Sequence, residues 1–238
     1  MYRSDLAEKL VTRHHPKSPV SEAFRSLRTS LHYLSPDQDY RAILVTSPGP
    51  GEGKSTVLAN LAVALAQSGK TVFVFDSDLR RPIQHRIFDV PNDFGLTNLL
   101  VGESPLDSVV RKLEVENLSI ITSGPIPPNP SELLGSPRMR AVLAEAKSKY
   151  EYVLLDSPPV LPITDAAILS SQVDGIIMVI KSGHTRVDHA REAQQIIEKA
   201  RGKIAGAVLN RVRYEGDDYR YYYYYGRDRT GKASSQRT

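Results

Sequence analysis

The chain has 238 residues, 31 Lys and Arg against 27 Asp and Glu, a net charge of +4 and no cysteine. At about 150 residues per domain this is one large α/β domain or two small ones; 40% hydrophobic residues suffice for a sizeable core. The missing cysteines exclude a disulfide scaffold, a Cys-zinc centre and a cysteine nucleophile, and fit a reducing compartment.

Residues 1–20 carry Arg3, Lys9, Arg13 and Lys17 without the apolar stretch of a signal peptide. They read as a flexible arm containing Pro16 and Pro19. The most apolar runs, 62–66 and 176–180, fall far short of the ~20 residues that span a bilayer. Any membrane role is therefore expected to come through a partner. Ser21 is placed to cap a helix running to about Leu34, with Phe24, Leu27, Leu31 and Leu34 on one face. Its polar face shows Glu22, Arg25 and Arg28 at three-residue spacing.

Short apolar runs at 42–45, 72–75, 118–121, 153–155, 176–180 and 204–209 read as buried strands. Between them lie helical patterns at 55–67, 137–149, 165–171 and 186–200, with Gly69 as a stop after the first. Alternating strands and helices imply an α/β fold: a mostly parallel, twisted sheet with helices on both faces. Ligands then bind beyond the carboxyl ends of the strands. Residues 124–130 contain four prolines and exclude regular structure there.

The strand at 42–46 leads into Ser47-Pro48-Gly49-Pro50-Gly51-Glu52-Gly53-Lys54-Ser55-Thr56 and then a helix. This is the layout of a P-loop. Gly51 and Gly53 let backbone N–H groups turn toward phosphate oxygens. Lys54 meets the β/γ phosphates, Ser55 can ligate Mg²⁺, and the helix N-terminus favours anions. Pro48 stands where the first glycine is usual. Downstream, Asp76 and Asp78 end one apolar strand and Asp156 ends another, in a Walker B arrangement suited to Mg²⁺ or its waters. Each aspartate alone would pass as a turn or cap residue; three at strand ends of a P-loop protein point to a nucleotide site.

The strand at 204–209 ends in Asn210-Arg211-Val212-Arg213. A guanine-reading motif needs an aspartate where Arg213 stands, so ATP is favoured, with Asn210 as a candidate adenine contact. His14, His15, His32, His85, His184 and His189 are scattered and form no metal cluster. Nothing resembles the nucleophile elbow of a serine hydrolase.

From residue 211 onward seven basic and four acidic residues give the tail +3 of the total charge. Seven of the 12 tyrosines lie in the last 25 residues: Tyr214, Tyr219 and Tyr221 to Tyr225. A buried strand, a nucleic-acid stacking segment and a phosphoacceptor tail all remain open on composition. Five consecutive tyrosines would alternate between two faces of a strand. Each phosphate would add about −1.5 to −2 charge, so three of them would swing the tail from +3 to about −2.

Together these features resemble the bacterial tyrosine kinases, specifically the cytoplasmic Gram-positive type that works with a separate membrane activator. The resemblance rests on Gly51 to Thr56, on Asp76-x-Asp78-x-Arg80-Arg81-Pro82, on the segment from Gly124 to Leu134, on Asp156-x-Pro158-Pro159 and on the tyrosine cluster. Glu22, Arg25 and Arg28 match the family's oligomerisation motif. The resemblance implies a P-loop fold, ATP and Mg²⁺ as cofactors, and autophosphorylation in trans at Tyr219, Tyr221, Tyr222, Tyr223, Tyr224 and Tyr225. It implies catalytic roles for Lys54, Asp76 and Asp78, with Asp78 the best candidate for the base. Lys54, Ser55 and Thr56 would hold the phosphates; Ser55, Asp76 and Asp156 would hold the metal, and Arg80 and Arg81 would place the acceptor or stabilise transferred charge. It further implies a homo-oligomeric (octameric) ring, protein tyrosine substrates, a cognate phosphatase, and recruitment to the inner membrane face by a chain-length regulator of capsular or exopolysaccharide synthesis. No nucleic-acid partner is expected. The domain division is arm 1–20, kinase domain 21–212 and tail 213–238.

Two rival readings remain. One is a partitioning or septum-positioning ATPase of the deviant P-loop group, which carries a lysine where this chain has Gly49. The other is a nucleotide-gated binding module that transfers no phosphate.

Overall fold

In a computed structural model the chain is described over residues 6–33 and 40–213. The strands are β1 (Ala42–Thr46), β2 (Val72–Asp76), β3 (Arg111–Lys112), β4 (Leu118–Ile121), β5 (Tyr152–Asp156), β6 (Gly175–Lys181) and β7 (Ile204–Asn210). They form one sheet of order β3-β4-β2-β5-β1-β6-β7, parallel except for the β3–β4 pair. The six strands read from sequence are present, each within one residue at either end. β3 is additional: two polar residues are too short to display a period.

The helices are α1 (Val11–His14), α2 (Pro19–Tyr33), α3 (Lys54–Ala66), α4 (Gln84–Ile87), α5 (Leu96–Val101), α6 (Leu106–Val109), α7 (Pro130–Leu134), α8 (Pro137–Lys149), α9 (Asp165–Ser170) and α10 (Val187–Lys199). Alternate residues along β1 and β2 feed two core layers. Ile43, Val45, Val72 and Val74 pack with α3 and the N-terminal helices. Leu44, Phe73 and Phe75 pack with residues of α8, α9 and α10 on the other face. α3 is buried all round from Val57 to Ala66 and is apolar there but for Asn60, as a helix between a sheet and a second helical layer must be.

Two expectations are corrected. The N-terminal residues from 6 onward are not a flexible arm: they turn at Ala7–Lys9, form α1, and dock on α3. Leu10 is buried, and Thr12 donates from N and Oγ1 to Asn60 Oδ1 at 3.0 and 2.9 Å. Asn60 Nδ2 answers to the Lys9 carbonyl at 2.8 Å. The cap of α2 is also not Ser21. Ser18 Oγ accepts from Ser21 N, and Pro19 takes the first helical position. Ser21 lies inside the helix with its hydroxyl donating to the His15 carbonyl at 2.7 Å. Leu34 and the tail from residue 214 lie outside the described residues. Residues 124–129 are irregular as expected, while Pro130 opens α7. Among the described residues no helix is long and apolar enough to cross a membrane.

Candidate active site

β1 is central, and the loop from Ser47 to Gly53 turns directly from it into α3. Gly51 and Gly53 have φ of +74° and +95°. At Gly53 a Cβ would lie 2.3 Å from Asn210 Nδ2, so glycine is required there by both conformation and space. Asn210 Nδ2 donates to the Glu52 carbonyl at 2.8 Å, which brings the end of β7 against the P-loop. The Pro48 carbonyl accepts from Leu161 N at 3.2 Å, and Ser47 O from Val160 N at 2.8 Å. The loop start is thus stitched to the segment after β5, where Pro48 has no N–H to leave unpaired.

Asp76 and Asp156 are directly opposite one another on β2 and β5, and both are fully buried. Asp78 follows two residues beyond. Lys54 Nζ reaches Asp78 Oδ2 at 3.1 Å, Ser55 Oγ at 3.1 Å and Asp156 Oδ1 at 3.5 Å. Asp76 takes other partners: its Oδ2 accepts from Gln84 N at 2.9 Å and Ile83 N at 3.2 Å. Its Oδ1 is buried without a partner. The two aspartates of this segment thus divide: Asp78 faces Lys54, while Asp76 is held by the backbone of the next loop.

Burial first, and then the Asp156 charge, push the Asp76 carboxyl well above the usual carboxylate range. Burial also raises Asp156, against the opposing pull of Lys54. For Lys54, burial alone would lower the pKa; the charges of Asp156 and Asp78 outweigh it, and the net shift is upward. Like charges on opposite strand positions are costly, so the site carries an excess of negative charge that a cation would relieve.

Gln84, at the start of α4, donates from Nε2 to Asp156 Oδ2 at 2.8 Å and to the Ser55 carbonyl at 3.1 Å. At the rim, Arg80 donates from Nε to Asp165 Oδ2 at 2.8 Å and from Nη2 to Ser131 Oγ at 2.9 Å. Ser131 Oγ donates in turn to Asp165 Oδ1 at 2.6 Å. Arg80 is thus tied to α7 and α9, while Arg81 is exposed and touches Asp78 Oδ1 through its backbone N–H at 3.0 Å. Glu52 is 4% exposed. Its Oε1 accepts from Thr185 Oγ1 at 2.9 Å and Gly49 N at 3.3 Å, and burial raises its pKa.

Gln84, Asp165, Ser131 and Glu52 escape the sequence reading. Glu52 stands in the P-loop and Asp165 opens an expected helix, so each has a local explanation that hides its long-range one. Thr56 and Gly51 lie in the loop and first helical turn as expected. Glu22, Arg25 and Arg28 lie on α2, away from the carboxylates. Arg25 bonds Glu22 and, at 2.5 Å, the Pro16 carbonyl. Arg28 Nη1 donates to Ala64 O on α3 at 3.1 Å. Tyr219 and Tyr221 to Tyr225 lie outside the described residues.

The residues fit magnesium. Such ions in phosphoryl-transfer sites use one or two carboxylates together with phosphate oxygens and water. Asp76 Oδ1 is an orphaned buried acceptor opposite Asp156, and the Ser55 side chain bonds Asp156; these oxygens are the donor set that this hard cation prefers.

A family model described as an AAA domain matches residues 40–205. The chain is 41% identical to the tyrosine-protein kinase YwqD of Bacillus subtilis (strain 168), over 87% of each chain. It is 37% identical to a protein of Staphylococcus aureus named putative tyrosine-protein kinase CapB, over 90% of this chain and 93% of that one. The crystal structure of the chimerical protein CapA2B2 superposes with a TM-score of 0.84 at 40% identity, covering 87% of this chain and 91% of the other. The rival septum-positioning class shares the fold at greater distance. The septum site-determining protein MinD of Pyrococcus horikoshii OT3 gives 0.62 at 26% identity, covering 72% of this chain and 70% of that one.

Proposed function

The chain belongs to the bacterial tyrosine kinase family, and from that premise we propose that it moves the γ-phosphoryl group of ATP to protein tyrosines, those of its own C-terminal cluster included. The observation that carries this reading is the Asp78 carboxylate, nearly buried and 3.1 Å from Lys54 Nζ. It puts a proton acceptor beside the phosphate-binding lysine. A tyrosine with a pKa near 10 arrives protonated at neutral pH. Its oxygen bonds to the γ-phosphorus as the bond to the β-phosphate bridge breaks, and its proton passes to Asp78.

Lys54 and the N–H groups of the P-loop bind and orient the phosphates, in a site whose burial strengthens each contact. Magnesium, when bound, neutralises charge shared by the β and γ phosphates; Ser55 Oγ, Asp76 and Asp156 are the residues that would hold it. Asn210, which bonds the Glu52 carbonyl at the P-loop's end, is the candidate contact for the adenine base. Arg80, fixed by Asp165 and Ser131, is held at the rim where an acceptor tyrosine would enter, with Arg81 beside it.

The wider reading follows the family. Subunits assemble as a ring through Glu22, Arg25 and Arg28, each tail serving a neighbour's site in trans. Phosphorylated tails repel one another and loosen the ring, and a phosphatase resets it. A membrane-embedded partner recruits the chain to the inner face of the membrane, and the output is control of capsular or exopolysaccharide synthesis. The names of CapB and of the putative tyrosine-protein kinase EpsB of Ralstonia solanacearum support that setting.

Phosphotyrosine mass spectrometry after incubation with Mg-ATP tests the reading, with and without the cytosolic segment of the activator. ATP-dependent phosphate on Tyr219 to Tyr225 is the expected result. ATP hydrolysis with unmodified tyrosines, activator present, would move the assignment to the septum-positioning type of ATPase.

A further inference from the structure

We propose that Gln84 is a positioning residue that sets the magnesium affinity of this site. The proposal rests on the reading of the site as an Mg-ATP site and deepens it.

Gln84 is fully buried, yet it opens a helix of only four residues and fills no long apolar stripe. A buried amide is costly unless its polar atoms are used, and Leu or Met would fill the same volume. Its atoms are used on three elements at once. Nε2 donates to Asp156 Oδ2 at the end of β5 and to the Ser55 carbonyl in the first turn of α3. Its backbone N–H donates to Asp76 Oδ2 at the end of β2. One residue thereby fixes one oxygen of each of two opposed carboxylates.

The consequence lies in the oxygens left over. Asp156 keeps Oδ1 on the Lys54 side, and Asp76 keeps Oδ1 free. Gln84 Oε1 is likewise buried without a donor. Two unpartnered acceptors on residues joined by a hydrogen bond are what a hydrated cation requires, because its waters can only donate. Outer-shell groups of this kind orient the ligating oxygens and weigh on metal affinity. In sequence Gln84 lies 72 positions from Asp156, which is why no local motif marks it.

The test uses the full chain, a fluorescent ADP analogue, and magnesium titrated from zero. Gln84→Met keeps length and bulk but removes the amide. The magnesium concentration for half-maximal effect is expected to rise about 10- to 100-fold. Magnesium-free binding of the analogue is expected to stay within about threefold of the parent, since Gln84 donates to no P-loop phosphate contact. A magnesium midpoint within about threefold of the parent, in a variant that still melts cooperatively, overturns the proposal. An equal loss of magnesium-free binding also overturns it, by marking Gln84 as P-loop packing. Gln84→Leu also removes the amide without adding charge, so it carries the same test should the methionine variant not fold. Parent protein whose nucleotide binding ignores magnesium would instead refute the Mg-ATP reading itself.

Discussion

In the middle of the sheet, β1 and β2 are buried along their whole length and β5 along nearly all of it. At these strand ends stand Lys54, Asp76, Asp78 and Asp156. At the outer edge, β7 alternates half-buried and exposed residues and ends in Asn210. Leu209 is 58% exposed, and a cavity of about 520 Å³ opens beside it, lined by Val20, Phe24, Leu209 and Val212. The two regions meet across a few ångströms of P-loop and serve opposite needs. Charge chemistry gains from a dry, rigid centre, where each electrostatic contact is strong and no reorganisation is needed. Nucleotide entry and base recognition need an open side. The centre is crosslinked by Lys54 and Gln84; the edge is held to the P-loop by Asn210 and by the Glu52–Thr185 pair.

Lys54→Met should give the largest effect. Phosphotyrosine formation should fall by at least about 10³-fold while the chain still melts cooperatively, as loss of a group that stabilises transferred charge requires. Radiometric assay of tail phosphorylation reads it. Activity near the parent level would mean that the buried centre is not where transfer occurs.

Asn210→Ala should separate edge from centre. The ATP concentration for half-maximal rate should rise about fivefold with turnover little changed, since one neutral hydrogen bond contributes about 1 kcal/mol. A fall in turnover at unchanged half-saturation would erase the distinction between the regions.

Glu52→Gln acts at the junction and should give the smallest effect. Burial raises the Glu52 pKa above its ordinary 4.5. Folding therefore favours the neutral acid. The stability this contributes is present below about 4.5 and is lost as pH rises through the raised value. Glutamine keeps an oxygen for Thr185 and Gly49 without the charge. Thermal melts should show a gain in stability at pH 8 that vanishes near pH 4. A larger gain at the acid end would contradict the sign.

Much of the centre was legible in the residues themselves. The apolar runs before Thr46, Asp76 and Asp156 located the strands to within one residue, because a strand buried on both faces must be continuous in hydrophobicity. Glycine spacing and Lys54 located the phosphate loop. What was hidden is what depends on distant partners. Arg13 and Pro16 made the N-terminus look like a solvated arm, while its docking depends on Asn60, buried in the middle of α3. Asp165 read as a helix start, and its use as the anchor of Arg80 needs a contact across 85 positions. The helices α4 to α7 are four to six residues long, too short for a 3.6-residue period to declare itself.

The most direct measurement is the single-turnover rate of phosphate transfer to tyrosine by Asp78→Asn, with ATP binding measured on the same protein. The substitution keeps the size of the side chain and an oxygen for Lys54 Nζ but removes the proton acceptor. ATP should still bind, and transfer should slow by about 10²- to 10⁴-fold, with the loss in the chemical step. Transfer at the parent rate with intact binding would show that Asp78 is not the base, and that the pairing of Lys54 with this carboxylate is not what makes the site a tyrosine kinase.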